Sequence, residues 1–289
     1  MAKNKEQSYD PRGGAPVPVA DDAINGDGLY DDDFDDEDDE EPPEIIPKMK
    51  LSRRMFGIFF FPVGLFENIR AHSGAAGPLV LIALFSVAYG ALSYWYQPMV
   101  MREEFALMAQ VFGKEVVALA RQSMGEGNGP AQIIGACVGM LGTAATSAVV
   151  SSVVGIIVLK VMKSEVSFGK LFALFVSIAS VEILGQVLTV GMSVLTYSTQ
   201  NVFALSVLLP GPSTPGYYLL STITLFTLFG MALTVTGTTV VSGLAKKKGV
   251  LAGAIIVLIT YGTSTLLAAR TADRLATYEQ LNRIIEMMR

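Results

Sequence analysis

The chain has 289 residues, 51% of them hydrophobic, with one cysteine, Cys137, and one histidine, His72. A lone cysteine excludes an internal disulfide and any cysteine-rich metal site, and a lone histidine excludes an HExxH zinc motif or a second imidazole ligand. The net charge of −5 conceals two opposite parts: residues 1–45 carry three basic against 16 acidic groups, and the remainder carries 18 basic against 10 acidic, a net of +8.

The first part contains "DPRGGAPVPVADDAINGDGLYDDDFDDEDDEEPPE". Such a segment cannot bury enough apolar surface to offset its chain entropy, so residues 1–47 are expected to form a disordered acidic tail in the cytoplasm. Asp21, Asn25, Gly26 and Asp32 brush against an EF-hand pattern, but Ala23 stands at a ligand position and no amphipathic helices flank it. A solvated acidic run, open to loose contact with divalent ions or a basic partner, is the simpler reading. Nothing before residue 55 is an apolar core with basic flanks, so the first membrane segment is expected to direct targeting.

Residues 48–76 read as a basic, interfacial segment. After Lys48, Lys50, Arg53, Arg54 and "FGIFFF", Pro62 occupies a favoured first helical position. Val63, Phe66 and Ile69 then fall on one side of a helix, with Glu67, Asn68 and Arg70 on the other, and Gly74 can end it. This spacing predicts a helix lying in the cytoplasmic interface, anchored by Pro62, Phe66, Ile69 and Arg70; a partner-docking helix is the alternative. His72 closes it as a surface residue.

From residue 77 to residue 269, five apolar stretches each approach the ~20 residues that cross a hydrocarbon core. They are Gly77–Gln97, closing on the aromatic "YWYQ", then Ala131–Leu159, Leu171–Leu195, Tyr217–Leu244 and Gly249–Ala269. Backbone groups in lipid must be satisfied within a helix or a closed barrel, and these runs are too continuous for barrel strands. The expected fold is therefore all-α: a polytopic membrane protein of five transmembrane helices, with the lipid bilayer as its first partner. Loop charge sets orientation. Lys160, Lys163 and Lys170 lie in the second connection and Lys246, Lys247 and Lys248 in the fourth, whereas "TYSTQNVFALSVLLPGPSTPG" in the third has no Lys or Arg. The N-terminus is expected in the cytoplasm and the C-terminus outside, with Lys246–Lys248 holding orientation and touching anionic lipid. Residues 270–289 space Leu275, Tyr278, Leu281, Ile285 and Met288 at helical intervals, which predicts a helical extension of the fifth span with a packing or oligomer seam.

Small residues recur inside the spans. Gly135, Gly139 and Gly142 lie in the second, and Gly230 and Gly237 in the fourth, at spacings that let helix backbones approach. These are expected helix-packing positions, with Cys137 a small packing residue among them. The third span carries a more specific pattern. Glu182, Gln186, Thr189, Ser193 and Thr196 follow at steps of four and three, so one helical face is polar throughout. A charged carboxylate at the bilayer centre costs about 2.5–3.5 kcal/mol or more, so Glu182 should face protein or water. It is either a protonated group bonded to a neighbouring helix or part of a permeation or coupling site.

Catalytic templates are missing: no G-x-S-x-G elbow, no GxxxxGK[ST] loop and no histidine within a span. No catalytic residue, metal ligand or cofactor is assigned, and nucleic acid is not an expected partner.

"FFFPVGLFENIRAHSGAAGPLVLIALFSV" resembles the start of the Yip family (the Ypt-interacting-protein domain) in its bacterial branch, with Pro62, Phe66, Ile69 and Arg70 at the family's "P-x-x-x-F-x-x-I-r" places. "KSEVSFGKLFALFVSIAS" resembles its basic-polar loop into the third span, and "AKKKG" the basic turn between its last two. The resemblance covers about residues 56–268; of the D-L-Y-G-P motif of eukaryotic members only Gly77-Pro78 remains. It implies five spans with a cytoplasmic N-terminus, in the cytoplasmic (inner) membrane of a bacterium. Eukaryotic relatives associate with prenylated Rab-type GTPases in vesicle traffic, and bacterial ones are suggested to serve beside transporters. The expected function is a non-enzymatic membrane scaffold or accessory protein that organises membrane or a partner complex, with a protein partner or self-association in the membrane. The alternative is a small ion or solute channel or transporter lined by the polar stripe.

Overall fold

The computed structural model describes residues 46–124, 129–210 and 216–272, and positions 278, 281, 284 and 287. The acidic tail, with Asp21, Asn25, Gly26 and Asp32, lies outside the described residues, as do Leu275, Ile285 and Met288. Five helices are long and apolar enough to cross a membrane: α3 (Ala76–Phe112), α5 (Gly129–Val161), α6 (Phe168–Thr196), α8 (Leu225–Ser242) and α9 (Lys246–Ala272). Shorter helices precede and join them: α1 (Leu51–Phe60), α2 (Pro62–Ala71), α4 (Lys114–Met124) and α7 (Tyr217–Thr222).

α6 is the central element. It touches α3, α5, α8 and the α1–α2 pair, and 67% of its most apolar stretch is buried, against 17–39% in the other four spans. Its near-unbroken buried run from Leu171 to Val181 explains why it needs no polar outer face.

Three boundaries differ from those read in the sequence. The first span does not stop at Gln97; α3 continues through Pro98 to Phe112, 37 residues or about 55 Å. A proline removes one donor and strains the preceding turn, and tertiary contacts hold the extension: Thr199 Oγ1 donates to Glu103, and Tyr278 Oη donates to Glu104 at 2.9 Å while packing edge-on against Phe112. The fourth span is not one helix. Ile223 and Thr224 leave the helical path because Leu205 N–H donates to Ile223 O and Leu225 N–H to Phe203 O. Thr224 then caps α8, its hydroxyl accepting from Thr227 N–H while Thr227 Oγ1 accepts from Thr224 N–H. Finally, Lys246–Lys248 form the exposed first turn of α9 instead of the connection before it.

The basic segment is a helical hairpin with an interior role. α1 folds onto α2 because Gly57 lets Leu65 approach: a Cβ at Gly57 would lie 3.3 Å from Leu65 Cβ. Pro62 opens α2 half-buried, but Phe66 and Ile69, assigned to lipid on sequence grounds, are fully buried in the core with Leu174 and Val241. Val63 remains exposed and Arg70 lies at the surface beside Gly243, so the segment's exposed side is not the one its apolar spacing implied. Arg54, counted as an orientation charge, is buried. It donates from Nε and Nη2 to Asn68 Oδ1 at 3.1 and 2.5 Å, and Asn68 Nδ2 donates to Pro47 O at 2.9 Å. His72 is half-buried instead of free at the surface, its Nε2 2.8 Å from Ile46 O.

Candidate functional site

The basic connections gather at one end of the bundle. Ser164 Oγ donates to Ser242 O at 2.8 Å, tying the α5–α6 turn to the end of α8, and Arg70 reaches Gly243 just before Lys246. Toward the opposite end, the helices part around a cavity of about 1000 Å³. α6 supplies Glu182, Gln186 and Thr189; α5 supplies Thr143, Thr146 and Ser147; and the connection into α8 adds Asn201, Thr224 and Thr227.

The polar stripe is thus only partly assembled. Glu182, Gln186 and Thr189 share the cavity wall, with Thr189 Oγ1 donating to Gly185 O at 2.8 Å and lying 3.4 Å from Asn201 Oδ1. Ser193 is buried away from the cavity, its hydroxyl without a hydrogen bond, and Thr196 is exposed and donates to Met192 O. Ser193 and Thr196 stay within about 40° of the stripe at about 100° per residue, but they lie farther along α6 than the cavity lining, which ends at Val190.

At the inner wall Tyr261 of α9 donates its hydroxyl to Glu182 Oε1 at 2.5 Å. A glycine makes the pair possible: a Cβ on Gly230 would lie 2.9 Å from Tyr261 Oη and 3.2 Å from Glu182 Oε1. Gly230 therefore seats the polar pair as well as the α8 backbone. Sequence reading missed Tyr261, though a tyrosine deep in an apolar helix needs a hydroxyl partner and Glu182 needs a donor. Asn201 was missed because it sits in a connection read as plain loop.

The remaining glycines divide. Gly237 is a contact position, where a Cβ would overlap Leu174 Cδ1 and sit 3.2 Å from Phe66 Cζ. Gly135, Gly139 and Gly142 are not: nothing lies within 4 Å of a Cβ placed on any of them, and Gly139 and Gly142 line the cavity. The α3–α5 contact falls instead at Gly90, where a Cβ would overlap Cys137 Sγ and lie 2.9 Å from Ile133 O. Cys137 is a packing residue. Among the described residues Glu182 is the cavity's only carboxylate, and no Lys, Arg or His lines it. Hydroxyls, two carboxamides, aromatic rings and a larger share of aliphatic surface make up the rest, which suits a ligand with an apolar body and a few hydrogen-bonding groups; among the described residues the lining offers no paired nucleophile and base.

The model of the Yip1 domain matches residues 56–267. The chain belongs to the Yip1 domain family. A search of the curated proteins and a search of the solved structures find no match. The matched stretch of this Yip1 domain starts midway through α1 and ends in α9, so it takes in α2, four spanning helices entire with most of the fifth, and every cavity residue named above.

Proposed function

We propose that this Yip1-family membrane protein is a non-enzymatic scaffold or accessory protein that gathers a partner's transmembrane helix. The observation that carries this reading is the open face of α5. Among the described residues, nothing from another element lies within 4 Å of a Cβ placed on Gly135, Gly139 or Gly142, and Ile134, Val138 and Leu141 around them are exposed. Glycines without a contact inside the chain leave room for a second backbone at close range, where dispersion and hydroxyl bonds give association in lipid. The lysine-bearing end would lie in the cytoplasm, with Lys246–Lys248 each adding about 1 kcal/mol of attraction to anionic lipid, and the acidic tail would meet basic partners there. A bacterial inner membrane is the setting that the family's bacterial branch suggests.

The test is chemical cross-linking and co-purification of the full chain from its native membrane, with Gly139→Leu beside the wild type. Loss of a stoichiometric partner in the variant supports the reading, and an unchanged set removes α5 from the mechanism. Deleting residues 1–47 tests the tail in the same way. A second reading, permeation, is favoured by the cavity itself. Flux through liposomes that disappears in Glu182→Gln would establish it, and its absence in both forms would end it.

A further inference from the structure

We infer that the cavity between α5, α6, α8 and α9 is a binding site for an organic ammonium ligand, with Glu182 as its counter-ion. This goes beyond the scaffold reading and does not depend on it. The volume of about 1000 Å³ is that of a small-molecule site, far more than a bare ion fills. Charge selects the ligand class. Among the described residues Glu182 is the single carboxylic acid on the wall and no basic side chain accompanies it, so a phosphate or carboxylate would enter uncompensated there while a cation would be matched.

The carboxylate is held for the purpose. Tyr261 fixes Oε1 at 2.5 Å, Gly230 admits the pair, and among the described residues Oε2 makes no hydrogen bond. Aromatic rings complete the surroundings of a soft cation. Tyr89, Tyr96, Phe175 and Phe226 line the same space as Glu182, and aromatic rings are the partners that alkylated ammonium groups favour. A hydrated metal ion is a poorer match, because hard cations want six or more oxygens in a tight shell, whereas one carboxylate stands here in a wide cavity. Gln186, Thr189 and Asn201 offer hydrogen bonds to a hydroxyl or carbonyl on the ligand's body.

The experiment uses the full-length protein in nanodiscs, with choline as probe and 3,3-dimethylbutan-1-ol as its uncharged isostere, read by equilibrium binding and by thermal unfolding. Choline should bind saturably and raise Tm, with an affinity about tenfold or more above the isostere, as an ion pair and ring contacts require. Glu182→Gln should abolish that preference. Ser147→Lys, which puts a positive charge on the exposed cavity wall, should weaken choline binding and leave the uncharged isostere unaffected; it decides the matter if Glu182→Gln fails to fold. Equal binding of the two probes, choline binding undiminished by Ser147→Lys, or no choline binding at all would overturn the assignment. Each of these results leaves the partner-gathering test untouched, so the two readings fail separately.

Discussion

The two ends of the bundle use the same residue types to opposite effect. At the lysine-bearing end the helices close: Phe66 of the α1–α2 hairpin and Leu174 of α6 fill the hollow over Gly237, and Gly249 and Gly253 let α9 reach the backbone of Thr239 and Val235. At the opposite end α5 carries Gly135, Gly139 and Gly142 without a described neighbour, and the adjoining space includes hydroxyls and, among the described residues, one carboxylate. A glycine in a membrane helix is thus a position where something can come close; whether the occupant is the chain itself or something else depends on what stands opposite. The closed end should then bear stability and the hollow end should bear function.

The largest test of that division is Phe66→Ala. Its side chain is fully buried, so truncation should cost about 3–5 kcal/mol through lost burial and the void left behind, read as a fall in unfolding free energy in mixed micelles. A loss below 1 kcal/mol would mean that the hairpin does not plug the bundle. Next comes Asn68→Leu, which strips the acceptor from Arg54 and leaves a buried guanidinium short of partners. About 1.5–3 kcal/mol should be lost, and the double variant Arg54→Met/Asn68→Leu should recover part of it.

Between the two ends, Gly230→Ala probes the Glu182–Tyr261 pair. The added methyl would crowd both oxygens, so about 1–3 kcal/mol of destabilisation is expected, with Tyr261→Phe milder at about 0.6–1.7 kcal/mol because only one interhelical bond is lost. If Gly230→Ala proves harmless and Tyr261→Phe costly, the hydrogen bond alone sets the pair and the glycine is incidental.

These sites also show how far the residues alone could be read. Five spans, the central place of Glu182 and the clustering of Gln186 and Thr189 with it follow from apolar length and helical period, which are properties of single helices. The identity of Tyr261 as partner, the break at Ile223–Thr224 and the burial of Arg54 do not, since each depends on what another element brings opposite. The α5 glycines make the same point from the other side: spacing says that a backbone can approach, and only packing says whether one does. Phe66 and Ile69 do share a buried face, but Val63, read with them, is exposed and Asn68, read on the other side, is buried; lipid and a neighbouring helix are equally apolar, so composition could not choose between them.

Gly142→Ala is the smallest expected effect and the sharpest discriminator. With nothing within 4 Å of the new methyl, no clash arises, and replacing glycine in a helix interior lowers backbone entropy in the unfolded chain; stability should stay level or rise by about 0.5–1 kcal/mol. A packing glycine behaves otherwise, as Gly237→Ala should, where the methyl meets Leu174 and Phe66. Measured on the dispersed single chain, the two alanines should therefore separate in sign. Measured again in native membrane, Gly142→Ala keeps its neutral value if the α5 wall faces lipid or ligand alone. It turns destabilising if a second backbone occupies that face, since the methyl would then stand where the partner's helix lies. The difference between the two environments, for one methyl group, reads out whether the open end of the bundle stays open.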